Sequence, residues 1–189
     1  GSVAVVHNGI VENFKELREE LAQLGLPYET DTDTETVALL AQYHLSQGDS
    51  PKFAAQKTVA RLEGAFALAF LFHSEEDLMI AARKGSPLAI GYGDGEMYVG
   101  SDAIALAPLT DRITYLDEGD FAVLTRNSVE ITDKNGALAN REIRTITIDS
   151  ARIDKAGYKH FMAKEIAEQP IVLKNTLQNY ITADGTNIE

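Results

Sequence analysis

The hydrophobic period of this chain changes at residue 64, and that change limits the folds open to it. Before it, apolar residues recur every three or four positions; after it they form short continuous or alternating runs. Phe14, Leu17, Leu21 and Leu24 lie on one face of a helix, which Gly25 stops and Pro27 prevents from continuing. Thr32-Asp33-Thr34-Glu35 fits a capping box, in which Thr32 caps the first-turn amides and Glu35 reaches back to the amide of Thr32. The helix it opens carries Val37, Leu40 and Ala41 and ends at Gly48. Ser50-Pro51 starts a third, with proline at its favoured first position, and it runs to just before Gly64.

Beyond that point the apolar run 65–72 reads as a strand covered on both faces. Further strands are expected at 78–82, 88–90, 97–100, 113–116, 121–124 and 129–131, with a helical turn at 103–107. Gly93-Asp94-Gly95, Glu118-Gly119 and Asn135-Gly136 mark turns, the last a strong hairpin signal. Strands this short and this close pair antiparallel. One run precedes the helices: Val3-Ala4-Val5-Val6 reads as a buried strand that ends at the turn signal His7-Asn8-Gly9. Residues 140–156 are polar and poorly periodic, so they read as a linker. Residues 158–177 return to helix, with Phe161, Ile166 and Leu173 as anchors and Pro170 as a kink or restart. Helices followed by antiparallel strands imply a layered α+β domain.

Composition narrows the chemistry. With 44% hydrophobic residues, the 189-residue chain can bury a core. A net charge of -12 repels phosphate backbones and anionic lipid, so neither nucleic acid nor membrane is expected as a partner. The 65–72 run is too short to span a bilayer, and no signal peptide is visible at the start, so a cytoplasmic location is expected. The chain has no cysteine, which excludes disulfides, thiolate metal sites and a cysteine nucleophile within it. His7, His44, His73 and His160 lack ligand spacing, so no metal is expected, and no cofactor either.

Three features could carry chemistry. In His7-Asn8-Gly9, an Asn side-chain amide beside a Gly backbone amide can offer two donors to one developing oxyanion, although Asn-Gly is also an ordinary turn. Asp33, at a helix start, can grip a ligand's ammonium group or simply cap the helix. Arg83-Lys84-Gly85-Ser86-Pro87-Leu88 can meet an anion or be a turn with solvated charges.

Taken together, these segments resemble one family. Val3-Ala4-Val5-Val6-His7-Asn8-Gly9-Ile10-Val11-Glu12-Asn13 and Thr32-Asp33-Thr34-Glu35 look like class II glutamine amidotransferases, including the phosphoribosylpyrophosphate amidotransferases of the purine pathway. Arg61-Leu62-Glu63-Gly64-Ala65-Phe66-Ala67, Ala82-Arg83-Lys84-Gly85-Ser86-Pro87-Leu88, His160-Phe161-Met162, Lys164-Glu165-Ile166 and Glu168-Gln169-Pro170 narrow the resemblance to the glucosamine-6-phosphate synthase family. The resemblance implies an αββα sandwich of the N-terminal-nucleophile hydrolase type, here incomplete, over residues 1–150, with an interdomain linker and the start of the sugar domain over 151–189. It also implies an opening cysteine that hydrolyses glutamine, with ammonia passed to a sugar domain that converts fructose 6-phosphate to glucosamine 6-phosphate. By motif, Asn8 and Gly9 would be the oxyanion donors and Asp33 would bind the α-ammonium of glutamine. The family's opening segment has no counterpart in this chain, so the 189 residues are expected to be a truncated and inactive part of the glutaminase domain. A homo-oligomer is expected, as is a crevice at one end of the sheet shared by Asn8, Gly9 and Asp33. The alternative reading is a non-catalytic glutamine-binding or regulatory module.

Overall fold

The computed structural model describes residues 2–73, 75–147 and 157–177. It divides into two units, Gly1–Thr147 and Ile148–Glu189. The first opens with strand β1 (Val3–Val11), followed by helices α1 (Phe14–Gln23), α2 (Asp33–Ser46) and α3 (Pro51–Arg61). Strands β2 (Gly64–Phe72), β3 (Met79–Lys84), β4 (Ala89–Tyr92) and β5 (Met97–Gly100) come next, then the single-turn helix α4 (Ala103–Leu106). Strands β6 (Arg112–Tyr115), β7 (Phe121–Leu124), β8 (Val129–Thr132) and β9 (Arg144–Thr145) complete the unit.

The strands form two sheets, ordered β1-β2-β3-β7-β8 and β5-β4-β6-β9. Every strand pairing within them is antiparallel. The helix layer covers one face of the five-stranded sheet: Leu17, Leu21, Val37, Leu40 and Ala55 pack on Phe66, Leu68, Phe70 and Ile80. The other face meets the second sheet through Ala67, Ala81, Ala122 and Leu124 against Leu88, Ile90 and Leu116. Beyond the second sheet, the described residues place only α4, through Leu106 against Ala89 and Ile113. The order helix, sheet, sheet, short helix is an incomplete αββα sandwich, as expected.

Several local expectations change. The strand at the start does not end at His7-Asn8-Gly9; β1 runs on to Val11 in unbroken register, Val3 opposite Phe72 through Val11 opposite Gly64. A nine-residue partner strand outweighs the local turn preference of Asn-Gly. Nor is β1 buried throughout: it is an edge strand, and while Val3, Val5 and Val11 face the helix layer, Val6 is 71% and Ile10 66% exposed. β2 is covered fully on one face only, because Ala65 and Leu71 on the other are exposed. Residues 140–147 are not linker. Arg144 and Thr145 pair with Ile113 and Arg112, and Arg141 is tied to Asp120. The linker reading over 148–156 falls outside the described residues.

The second unit contributes helix α5 (Phe161–Leu177), which Pro170 does not interrupt. Phe161, Ile166 and Leu173, expected as anchors, are exposed. Among the described residues of this unit α5 is the only helix. No helix among the described residues is long and apolar enough to cross a membrane.

Candidate functional site

The site begins with the backbone of β1. At the two ends of the β1–β2 ladder, His73 N donates to Ser2 O at 2.9 Å and Glu12 N donates to Glu63 O at 2.8 Å. In an antiparallel ladder, residues alternate between exchanging both bonds with the partner and exchanging neither. Even-numbered residues of β1 therefore bond to β2. Odd-numbered ones, His7, Gly9 and Val11 among them, turn their N–H and C=O groups to the free edge.

Asp33 occupies that edge. Its Oδ2 accepts from Val11 N at 2.9 Å. Asp33 is the first residue of α2, where the helix dipole favours a negative charge. Its Oδ1 lies 3.6 Å from His7 Nδ1, and its side chain keeps 23% exposure. Among the described residues no lysine or arginine pairs with it.

Gly9 precedes Val11 by two residues, about 7 Å along a strand. Its φ of 136° is one that L side chains rarely adopt, and an added Cβ would stand 2.2 Å from Ala65 O and 2.7 Å from Phe66 Cα. Only glycine lets β1 approach β2 this closely while its own N–H points outward. The edge thus carries an exposed backbone donor one ladder step from a carboxylate that no lysine or arginine pairs with among the described residues.

Asn8, the residue before Gly9, turns its side chain to the opposite face of the strand. It shares a cleft of about 370 Å³ with Ala4, Val6 and Leu71 of its own sheet and Val99 and Ser101 of the second. The walls are mainly apolar, and the Asn8 amide has no hydrogen-bond partner among the described residues. The side chains of Asn8 and Asp33 therefore approach from opposite faces of β1, and the single crevice expected for the three residues is not how they meet. What they share is the outer edge of the strand, where Gly9 N–H lies.

The backbone on either side of Asp33 is tied down by Arg18 and by the loop before the helix. The guanidinium of Arg18 is sandwiched between Phe14 and Tyr28, with centroid distances of 5.0 and 4.3 Å, and donates to Thr32 O at 2.9 Å. Thr32 caps Glu35 N as expected, at 3.3 Å. Glu35 does not reach back to the Thr32 amide. Its carboxylate instead takes Thr30 Oγ1 at 2.6 Å, Thr30 N at 2.7 Å and Glu29 N at 2.8 Å. The Thr30 hydroxyl first, and the Glu29 amide next, hold this carboxyl below its ordinary value. The loop folds back over the helix start and brings nearer donors, which win. His7 had a legible signal: in a strand through residue 11, position 7 shares the inward face with Val5 and Val11.

The basic turn is not an anion site. Lys84 Nζ donates to Leu62 O at 3.0 Å, Arg83 donates to the carbonyls of Ser86 and Leu116, and Glu118 already occupies the Gly85 amide. Its charges act as internal clips. No group of three His, Asp or Glu residues that could hold a metal ion occurs among the described residues.

The family model described as a glutamine amidotransferase domain matches residues 1–108. The glutamine–fructose-6-phosphate aminotransferase (isomerizing) of Bradyrhizobium diazoefficiens is 58% identical over 95% of this chain and 29% of its own length. Its counterpart in Zymomonas mobilis is 52% identical over 96% of this chain and 30% of its own. The chain thus spans under a third of the length of these relatives. Among solved structures, the glutamine phosphoribosylpyrophosphate amidotransferase from B. subtilis complexed with ADP and GMP aligns with a TM-score of 0.59 at 26% identity, covering 71% of this chain and 29% of that one. A structure described as the allosteric regulatory enzyme of purine biosynthesis gives 0.58 at 27% identity, covering 70% and 28%.

Proposed function

The chain belongs to the glutamine amidotransferase domain family, and from that premise we propose that the edge of β1 recognises glutamine. In this reading Asp33 accepts the α-ammonium group. Gly9 N–H and the Asn8 side-chain amide donate to the oxygen of the carboxamide as it gains negative charge. Losing one such donor typically lowers a rate by about 10²–10³. The observation that carries the proposal is the Asp33 carboxylate seated on Val11 N–H, one ladder step from the outward Gly9 N–H, at an edge whose positive φ and close approach to β2 disfavour any side chain at Gly9.

The proposal extends to the role of the longer relatives. The ammonia would serve amino transfer to fructose 6-phosphate in a homo-oligomeric enzyme, and the stretch from residue 151 onward would lead into the sugar domain. The chain holds no thiol, so these 189 residues supply recognition and oxyanion groups but no cysteine nucleophile. Glutamine incubated with the chain alone should release no ammonia above the uncatalysed rate. Calorimetry tests the recognition step. L-glutamine should bind the chain weakly, 4-carbamoylbutanoate, which lacks the α-amine, should not bind, and Asp33→Asn should abolish the difference. Equal binding of both compounds by the unaltered chain would remove Asp33 from the reading.

A further inference from the structure

His7 is nearly sealed from water, its side chain 3% exposed, and its two ring nitrogens have different surroundings. Nδ1 lies 3.0 Å from Thr34 Oγ1 and 3.6 Å from Asp33 Oδ1. Nε2 is buried, with no hydrogen-bond partner among the described residues. A buried polar atom left unpaired is costly, and a residue kept only for packing at this position would carry less cost as a leucine or phenylalanine. The satisfied end of the ring therefore accounts for the histidine, and it faces the start of α2. Val3, Val5 and Val11, which share this face of β1, pack in the core beneath the helices, so His7 is the polar contact between this strand face and Asp33.

We infer that His7 is a positioning residue for Asp33: through Thr34 and the near oxygen of the carboxylate it fixes the rotamer that places Oδ2 on Val11 N–H. His7 and Thr34 join strand to helix across 27 residues of sequence. Among the described residues, no other side chain forms a hydrogen bond or ion pair with the Asp33 carboxylate. Without the ring nitrogen, the carboxylate is free to swing toward solvent, where the helix dipole still favours it. The glutamine-binding consequence rests on the function proposed above, whereas the Val11 contact does not.

Amide exchange and ligand titration on the intact 189-residue chain separate the two. Val11 N–H faces the sheet's outer edge, and its protection depends on Asp33. In His7→Phe, Val11 should exchange about tenfold faster, the loss of one charge-assisted hydrogen bond, and L-glutamine should bind about tenfold more weakly. His7→Asn, whose amide reaches the position of Nδ1, should restore both. Thr34→Val removes the hydroxyl while leaving the core untouched, and it should show a smaller loss in the same direction; it remains informative if His7→Phe folds poorly. Added to Asp33→Asn, His7→Phe should change Val11 exchange no further. Unchanged Val11 protection in both His7→Phe and Thr34→Val would overturn the inference. So would equal losses in His7→Asn and His7→Phe, which would reduce His7 to packing. If Val11 responds as stated while the unaltered chain binds no L-glutamine, the positioning role stands and the proposed function fails.

Discussion

Two carboxylates in this fold, Asp120 and Asp33, sit in opposite circumstances. Asp120, just before β7, is completely buried and fully engaged. Arg141 grips it with two nitrogens at 2.7 and 2.8 Å, and the amide of Asp117 adds a third bond at 2.7 Å. Arg141 also pairs with Asp117 at 2.9 Å, and the Asp120 hydrogen bond pushes its guanidinium above the ordinary value. Asp33 has one backbone donor, a histidine at one side, and an open side. A charge whose partners are all internal holds loops together. A charge given a fixed orientation but no lysine or arginine partner among the described residues is left able to meet a group from outside. The difference in closure, and not the presence of a carboxylate, separates the corner at Asp120 from the one proposed here for recognition.

The largest effect should come from opening the closed corner. Arg141→Ala leaves Asp120 buried and unpaired, a change worth about 3–5 kcal/mol of stability. The urea midpoint should fall accordingly, and loss of less than about 1 kcal/mol would show that water replaces the pair and that the corner is not closed. Next is Gly9→Ala. Its Cβ would meet Ala65 O at 2.2 Å with the backbone at positive φ, so β1 must lift from β2 at a cost of about 1–3 kcal/mol. A thermal melt matching that of the parent chain would mean that the strand flips without strain and that the outward N–H is not fixed. Asp33→Asn should be milder, within about 1 kcal/mol, because a neutral amide oxygen still accepts from Val11; a loss as large as that of Arg141→Ala would make Asp33 a structural carboxylate like Asp120.

The smallest effect concerns pH. Glu35 has a depressed folded value, so its contribution is present above the ordinary carboxyl value of 4.5 and is lost as pH falls through the lower folded value. Amides of Glu29 and Thr30 should therefore lose protection below pH 4.5 while the central strands keep theirs. Simultaneous loss throughout the chain would show that the loop over α2 has no independent clamp.

Much of this fold can be read along the sequence because its elements are short and locally punctuated. Strands at 97–100 and 121–124 fall where the apolar runs and glycine turns place them, and Ser50-Pro51 begins α3 as its chemistry requires. The failures share one cause. The end of β1, the partners of Glu35 and the order in 140–147 are settled by groups distant in sequence: β2 for His7-Asn8-Gly9, a folded-back loop for Glu35, and Asp120 for Arg141. The motif singled out Asn8, Gly9 and Asp33, but not that they address one strand edge from two faces. Face assignment needs the true length of β1, which the turn signal concealed.

Whether a ligand sits at the outer edge of β1 decides between a recognition site and a structural carboxylate at Asp33. The most direct measurement is a ¹⁵N chemical-shift titration of the chain with L-glutamine. The largest shifts should fall on the Gly9 and Val11 amides and the Asn8 side-chain amide, with Asp33→Asn suppressing them. Shifts confined to other surfaces, or shifts at Gly9 that survive Asp33→Asn unchanged, would contradict it.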